Sequence, residues 1–141
     1  MMAGKRRLLT LTGTGVAAQI VAYLAIGNGR NGEHPTDGLA TVTVPELSGA
    51  ALAGEASFRT NCSSCHGLNA GGRDGIGPPL VHKIYEPSHH GDMAFVLAAK
   101  QGVRQHHWSF GNMPPVEGIT DDEIGDIISY VRTLQRANDI R

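Results

Sequence analysis

Cys62-Ser63-Ser64-Cys65-His66 holds the only two cysteines of a 141-residue chain, and its reading decides the fold. Two thiols two residues apart, followed at once by an imidazole, admit four chemistries. A dithiol redox pair belongs with a βαβ pattern, which is missing here. A zinc centre needs further thiols or well-spaced histidines, and no third cysteine exists. A structural disulfide across so short a loop has strained geometry. The spacing matches instead the attachment signature of a c-type haem. Two intervening residues let both thiols reach the two vinyl groups on one porphyrin edge as thioethers, and the adjacent imidazole meets the iron from that same face. The expected cofactor is therefore one covalent haem c with its iron, held through Cys62 and Cys65 with His66 as an axial ligand.

Further along the chain, Gly111-Asn112-Met113-Pro114-Pro115 offers the opposite ligand. The two prolines fix the backbone and stop a helix, so a rigid loop can hold the Met113 thioether. Sulfur there favours Fe(II) and raises the potential relative to a second imidazole. Met93, on a helical pattern, reads instead as core filler. With both axial positions taken by His66 and Met113, the iron has no open site, and the chemistry expected is one-electron exchange rather than enzymatic turnover.

These residues make the chain, over about Gly54 to Arg136, resemble a class I cytochrome c of the exported, bacterial, monohaem type. Gly54, Phe58 and Cys62 stand four apart, as in that family's helix leading into the haem motif. Gly77-Pro78-Pro79-Leu80 looks like its G-P-x-L segment, Met113-Pro114 like its ligand loop, and Asp126-Ile127-Ile128-Ser129-Tyr130-Val131 like its final helix. The resemblance implies that the Pro78 carbonyl accepts a hydrogen bond from Nδ1–H of His66, leaving Nε2 for iron. It places Leu80 and Pro78 beside the haem, and it crosses the first and last helices at Gly54, Phe58, Ile127 and Tyr130. The implied partners are a cytochrome bc complex, a terminal oxidase or a periplasmic dehydrogenase.

The residues themselves predict an all-α fold of three to five helices around one haem. Leu47 to Thr60 is amphipathic, with Leu52, Ala56 and Phe58 available for burial. A middle helix runs from an Asp92 cap to a stop at Gly102, burying Met93, Val96 and Leu97. Thr120 and Glu123 form a capping box for the last helix, Ile119 and Ile124 a hydrophobic staple, and Ile124, Ile127, Ile128, Val131 and Leu134 one apolar face. Trp108 reads as a pocket wall whose indole N–H finds a polar partner, a haem propionate being the natural one.

His82, His89, His90, His106 and His107 exceed what a minimal carrier needs. His89-His90 lies in a Pro/Ser/Gly loop where solvated side chains are the plainer reading. With Met93 close in sequence, the pair also suggests a copper-associated role. His106 or His107 replacing Met113 would give a low-potential bis-imidazole haem. A labile Met113 would instead make a ligand sensor.

Aromatic residues are only 5% of the chain and glycines number 19, so the polypeptide alone offers a thin core that a large buried group would complete. The net charge of −1 hides an asymmetry. The first 27 residues contain Lys5, Arg6 and Arg7 and no acid, which leaves nine basic against 13 acidic residues in the remainder. No basic stripe remains to bind nucleic acid. Leu8 to Ile26 is uncharged behind that basic triplet, so residues 1–27 are expected to be a signal peptide or a signal anchor that attaches the chain to the inner membrane through residues 8–26. Residues 28–44 read as a flexible tether and 45–141 as the haem domain, on the periplasmic side of that membrane.

Overall fold

The structure is a computed structural model that describes residues 38–141. The signal or anchor expected over 1–27 and the tether up to residue 37 lie outside the described residues. Four α-helices appear, α1 (Gly49–Asn61), α2 (Ser63–His66), α3 (Asp92–Gln101) and α4 (Asp121–Ala137), with a 3-10 turn at Lys83–Tyr85. Among the described residues there is no strand, only isolated bridges between Arg73 and Gly77 and between Val103 and Met113. The all-α expectation of three to five helices holds.

The last helix starts where its capping box requires. Glu123 N–H donates to the Thr120 hydroxyl at 3.2 Å, and the Glu123 carboxylate accepts from Thr120 N–H at 2.9 Å. Ile119 and Ile124, on either side of the cap, are both buried. The Thr120 N–H first, and its hydroxyl second, hold the Glu123 carboxyl below its ordinary value of 4.5. A carboxyl depressed by folding stabilises the fold above its unfolded value, and the benefit disappears as pH falls through the folded one. Thr120→Ala is therefore expected to cost about 1 kcal/mol in urea unfolding at neutral pH. Alanine keeps the Thr120 N–H and loses only the hydroxyl, so the deficit should narrow by the hydroxyl's share as the solution is acidified, and a deficit independent of pH would show that the hydroxyl–carboxylate contact contributes nothing.

α4 then crosses α1 at Gly54. A Cβ there would stand 1.9 Å from the Asp126 carbonyl oxygen, so only glycine permits this approach. One turn further on, Phe58 and Tyr130 are fully buried with ring centroids 5.4 Å apart in a tilted arrangement. Ile127, Ile128, Val131 and Leu134 extend the same core. The expected face of α1 is only partly right: Phe58 is buried, but Leu52 and Ala56 are exposed and the helix begins at Gly49. Gly54 takes the buried position because the helices touch backbone to backbone there.

α3 departs further from expectation. Gly102, at φ 74°, does end it, but its N-cap is Gly91, and Asp92 turns to Arg132 instead. Met93 is 65% and Leu97 47% exposed, whereas Phe95, Val96 and Ala99 pack on the core. Apolar residues occupy every position from 93 to 99, so periodicity defines no single face.

The packed region also begins earlier than Pro45. Ala40 N–H donates to the Gly71 carbonyl at 2.9 Å, and Val42 is 3% exposed. Thr43 exchanges two hydrogen bonds with the Asn138 side chain, both 2.9 Å. Residues 40–44 are thus fastened to the core and to the end of α4 rather than belonging to a tether.

Candidate functional site

The thiol-imidazole motif occupies the joint between two helices. Cys62 ends α1 and caps α2, a single turn that carries Ser63-Ser64-Cys65-His66. His66 is 8% exposed, and its Nδ1–H donates to the Pro78 carbonyl at 2.9 Å. The contact depends on Gly77, where a Cβ would lie 2.6 Å from the Cys65 carbonyl oxygen, and this close approach lays the Gly77-Pro78 segment against the motif. The Arg73 guanidinium clasps the Ser64 carbonyl from the same loop. Burial pushes His66 below its ordinary value, with the Pro78 bond opposing. With Nδ1 engaged by Pro78, Nε2 is the ring atom left available to a metal. Burial, then proximity to Cys65, raises the Cys62 thiol to about 11, the opposite of an activated redox thiol.

Met113 is positioned by its backbone. Its N–H and C=O both pair with Val103 at 2.9 Å, directly after the Gly102 stop of α3. The Gln105 side chain accepts from Gly111 N–H at 2.8 Å, and Gln105 N–H donates to the Asn112 side chain at 3.0 Å. Val116 N–H donates to the Ala99 carbonyl at 2.8 Å, tying the far side of the loop to α3. Two prolines and these braces hold the thioether on one side of a cleft.

That cleft encloses about 1040 Å³ of empty space, its open mouth included. Cys62, His66, Pro78, Leu80, Trp108 and Met113 all line it, which brings six of the seven sequence-predicted site residues together. Cys65 does not line it and is exposed at the adjoining turn. The walls are otherwise mostly apolar, with Phe58, Phe95, Val116, Ile127 and Ile128 among them. Trp108 forms part of the wall, but its buried Nε1–H makes no well-formed hydrogen bond, only a weak interaction with the Tyr85 hydroxyl. Burial raises the nearby Tyr85 hydroxyl, and Trp108 offsets this only in part. A buried donor so weakly paired, in an otherwise apolar cleft, is costly unless a ligand supplies a better acceptor. The residues present fit an apolar macrocycle bearing carboxylates, which Cys62 and Cys65 would hold by their thiols while His66 and Met113 would offer ligands to its iron.

A polar hub in the core had no part in the sequence expectations. Arg132 is 7% and Gln135 1% exposed, and they bond to each other at 2.6 Å. Arg132 also reaches Asp92 and the Tyr85 carbonyl, each at 2.8 Å, and the His90 carbonyl, while its guanidinium lies 4.8 Å from the Phe95 ring centroid. Gln135 donates to the Leu80 and Tyr85 carbonyls. Together they fasten the 80–92 loop to α4. The available signal was register: Arg132 follows Ile128, and Gln135 follows Val131, by four residues, inside the apolar stripe.

The extra histidines converge. His89, His90 and His107 each offer a ring nitrogen within 4.8 Å of the others, and the His106 ring centroid is 4.3 Å from that of His107. Loss of hydration, then the neighbouring His106, His90 and His89, hold His107 below its ordinary value.

A family model described as Cytochrome c matches residues 51–135, the span from α1 almost to the end of α4. No curated protein matches the chain.

Proposed function

The chain belongs to the cytochrome c family, whose members bind haem c covalently with its iron and transfer electrons, and we propose that it is a class I, His/Met-ligated carrier of single electrons. In this reading Cys62 and Cys65 would supply the thioether bonds, and His66 would ligate through Nε2. The observation that carries the reading is that a hydrogen-bonded imidazole and a loop-braced thioether line one apolar cleft.

The bound haem supplies reversible one-electron exchange at its iron. Around it the polypeptide's work is largely static. The Pro78 carbonyl fixes the His66 tautomer and ring orientation and makes its Nε2 a better donor. The Val103 pairing and the prolines brace the backbone of Met113, so its thioether would be held towards the iron with little reorganisation on electron exchange. Trp108 Nε1–H, which makes no well-formed hydrogen bond within the polypeptide, would be available to a carboxylate of the haem. Phe58, Ile127, Ile128 and Leu80 exclude water and keep the local dielectric low, which strengthens every electrostatic interaction within the cleft.

We place this carrier in a respiratory chain of bacterial type on the periplasmic side of the inner membrane. A cytochrome bc complex, a terminal oxidase or a periplasmic dehydrogenase would serve as its partners. The support for the location is the basic triplet and uncharged run of residues 5–26. Potentiometry of the full-length holo-protein should give a single one-electron wave, and the reduced form should not take up carbon monoxide. Rapid uptake by the wild-type protein would replace the closed carrier with a ligand sensor. Fractionation should recover the chain on the periplasmic face, and a cytoplasmic location would overturn that placement.

A further inference from the structure

We propose that His89, His90 and His107 form a binding site for one divalent transition cation of the Zn²⁺/Cu²⁺ class at the rim of the haem cleft. The site needs none of the haem-ligand assignments. One nitrogen from each ring lies within 4.8 Å of the other two, and no carboxylate or thiolate joins the group among the described residues. Nε2 of His89 stands 3.4 Å from Nε2 of His107. Two imidazole nitrogens bound tetrahedrally at about 2.05 Å from one cation stand about 3.3 Å apart, so this pair already has the edge length of a metal site. A simple N–H···N hydrogen bond accounts for that pair but leaves the third imidazole unexplained.

His90 has the support that ligating histidines require. Its Nδ1–H donates to the Ile84 carbonyl at 2.7 Å, which fixes the tautomer and leaves Nε2 with the lone pair. The segment bearing it is held by Arg132, which bonds to the His90 carbonyl. His89 and His107 are exposed, so a cation can enter from solvent without opening the fold. Three neutral nitrogen donors with no oxygen ligand disfavour Mg²⁺ and Ca²⁺, and the lack of sulfur in the group disfavours Cu⁺. Zn²⁺ and Cu²⁺ suit such a set, with water in the remaining position. His90 and His107 also line the cleft, so the cation would sit beside the haem edge.

The test is calorimetric titration of full-length, metal-free holo-protein with Zn²⁺, paired with electron paramagnetic resonance of the Cu²⁺ form. One saturable equivalent and hyperfine structure from imidazole nitrogen are expected. His89→Ala and His107→Ala should each weaken binding about tenfold or more, since even an outer-sphere partner of a ligand is worth that much. His34→Ala, which removes an imidazole far away in sequence, should bind as the parent does. His107 lines the haem cleft, and should its variant fail to load haem, His89→Ala decides alone, because His89 lies outside that lining. Absence of saturable binding, unchanged affinity in His89→Ala, or loss of binding in His34→Ala would each overturn the site.

Discussion

Gly54→Ala is expected to abolish accumulation of folded holo-protein, or to lower its Tm by about 15–30 °C if any forms. The added Cβ would lie 1.9 Å from the Asp126 carbonyl oxygen, 2.5 Å from its carbon and 2.9 Å from Tyr130 Cβ. These are backbone or backbone-proximal atoms in the middle of α4, so no rotamer change relieves the clash. Ordinary contact begins at 3.4 Å, so the helices must part by about 1.5 Å. Parting them separates Phe58 from Tyr130, both fully buried, and loosens the wall of the cleft that Phe58 and Ile127 share. Overpacking a core with one carbon costs about 1–3 kcal/mol, and two backbones forced apart cost more, about 4 kcal/mol out of a total of roughly 5–15. Helix propensity works the other way, because alanine is favoured over glycine by about 1 kcal/mol in a helix. Gly125→Ala in α4 isolates that effect, since a Cβ there meets nothing within 4 Å. It should stabilise slightly, as read by thermal melts followed by circular dichroism. Near-wild-type stability of Gly54→Ala would mean that the helices do not cross where described.

The same crossing shows which parts of this fold a sequence can reveal. Gly54, Phe58 and Cys62 stand at four-residue spacing over α1 and its cap, but periodicity alone points to Leu52, Ala56 and Phe58, and it is the family resemblance that places the crossing at Gly54 and Phe58. The Thr120–Glu123 box is a contact across three residues, and the Cys62–His66 motif lies within a single turn. Such features need no tertiary information. The Pro78 carbonyl was reachable because it sits twelve residues beyond His66 in a segment of recognisable type. The misread features are those in which chemistry is assembled from distant segments. Thr43 and Asn138 are 95 residues apart, and each looks like an ordinary loop or helix-end residue by itself. Arg132 reads as a charge spoiling an apolar stripe until Asp92 and the carbonyls of Tyr85 and His90 are seen around it. His107 joins His89 across eighteen residues through the fold of two loops, and neither loop has a periodicity from which to infer the meeting. α3 failed for the converse reason, with too many apolar residues to single out one face.

Met113→Ala is expected to produce the largest functional change while leaving the loop in place. Both hydrogen bonds that Met113 makes with Val103 come from its backbone, so alanine keeps them, and Pro114 and Pro115 continue to constrain the chain. What disappears is the thioether. The oxidised wild-type holo-protein should show a near-infrared charge-transfer band between sulfur and iron, and the variant should lack it. Its midpoint potential should fall by on the order of 0.1–0.3 V, a fraction of the roughly 0.8 V over which axial ligands tune haem. The direction follows from the preference of soft sulfur for Fe(II), which is lost when water or an imidazole takes its place. The vacated position should also admit carbon monoxide to the reduced form. His106 and His107 line the same cleft and are candidates to fill it. Recapture by one of them would appear as a low-spin spectrum without the sulfur band, and adding His106→Ala and His107→Ala to the variant would then reopen the site. A wild-type protein that lacks the band, or a variant with an unchanged potential, would remove Met113 from the iron. The His66 imidazole would then be left as the one ligand assigned with geometric support, and a ligand sensor would become the better account of the cleft.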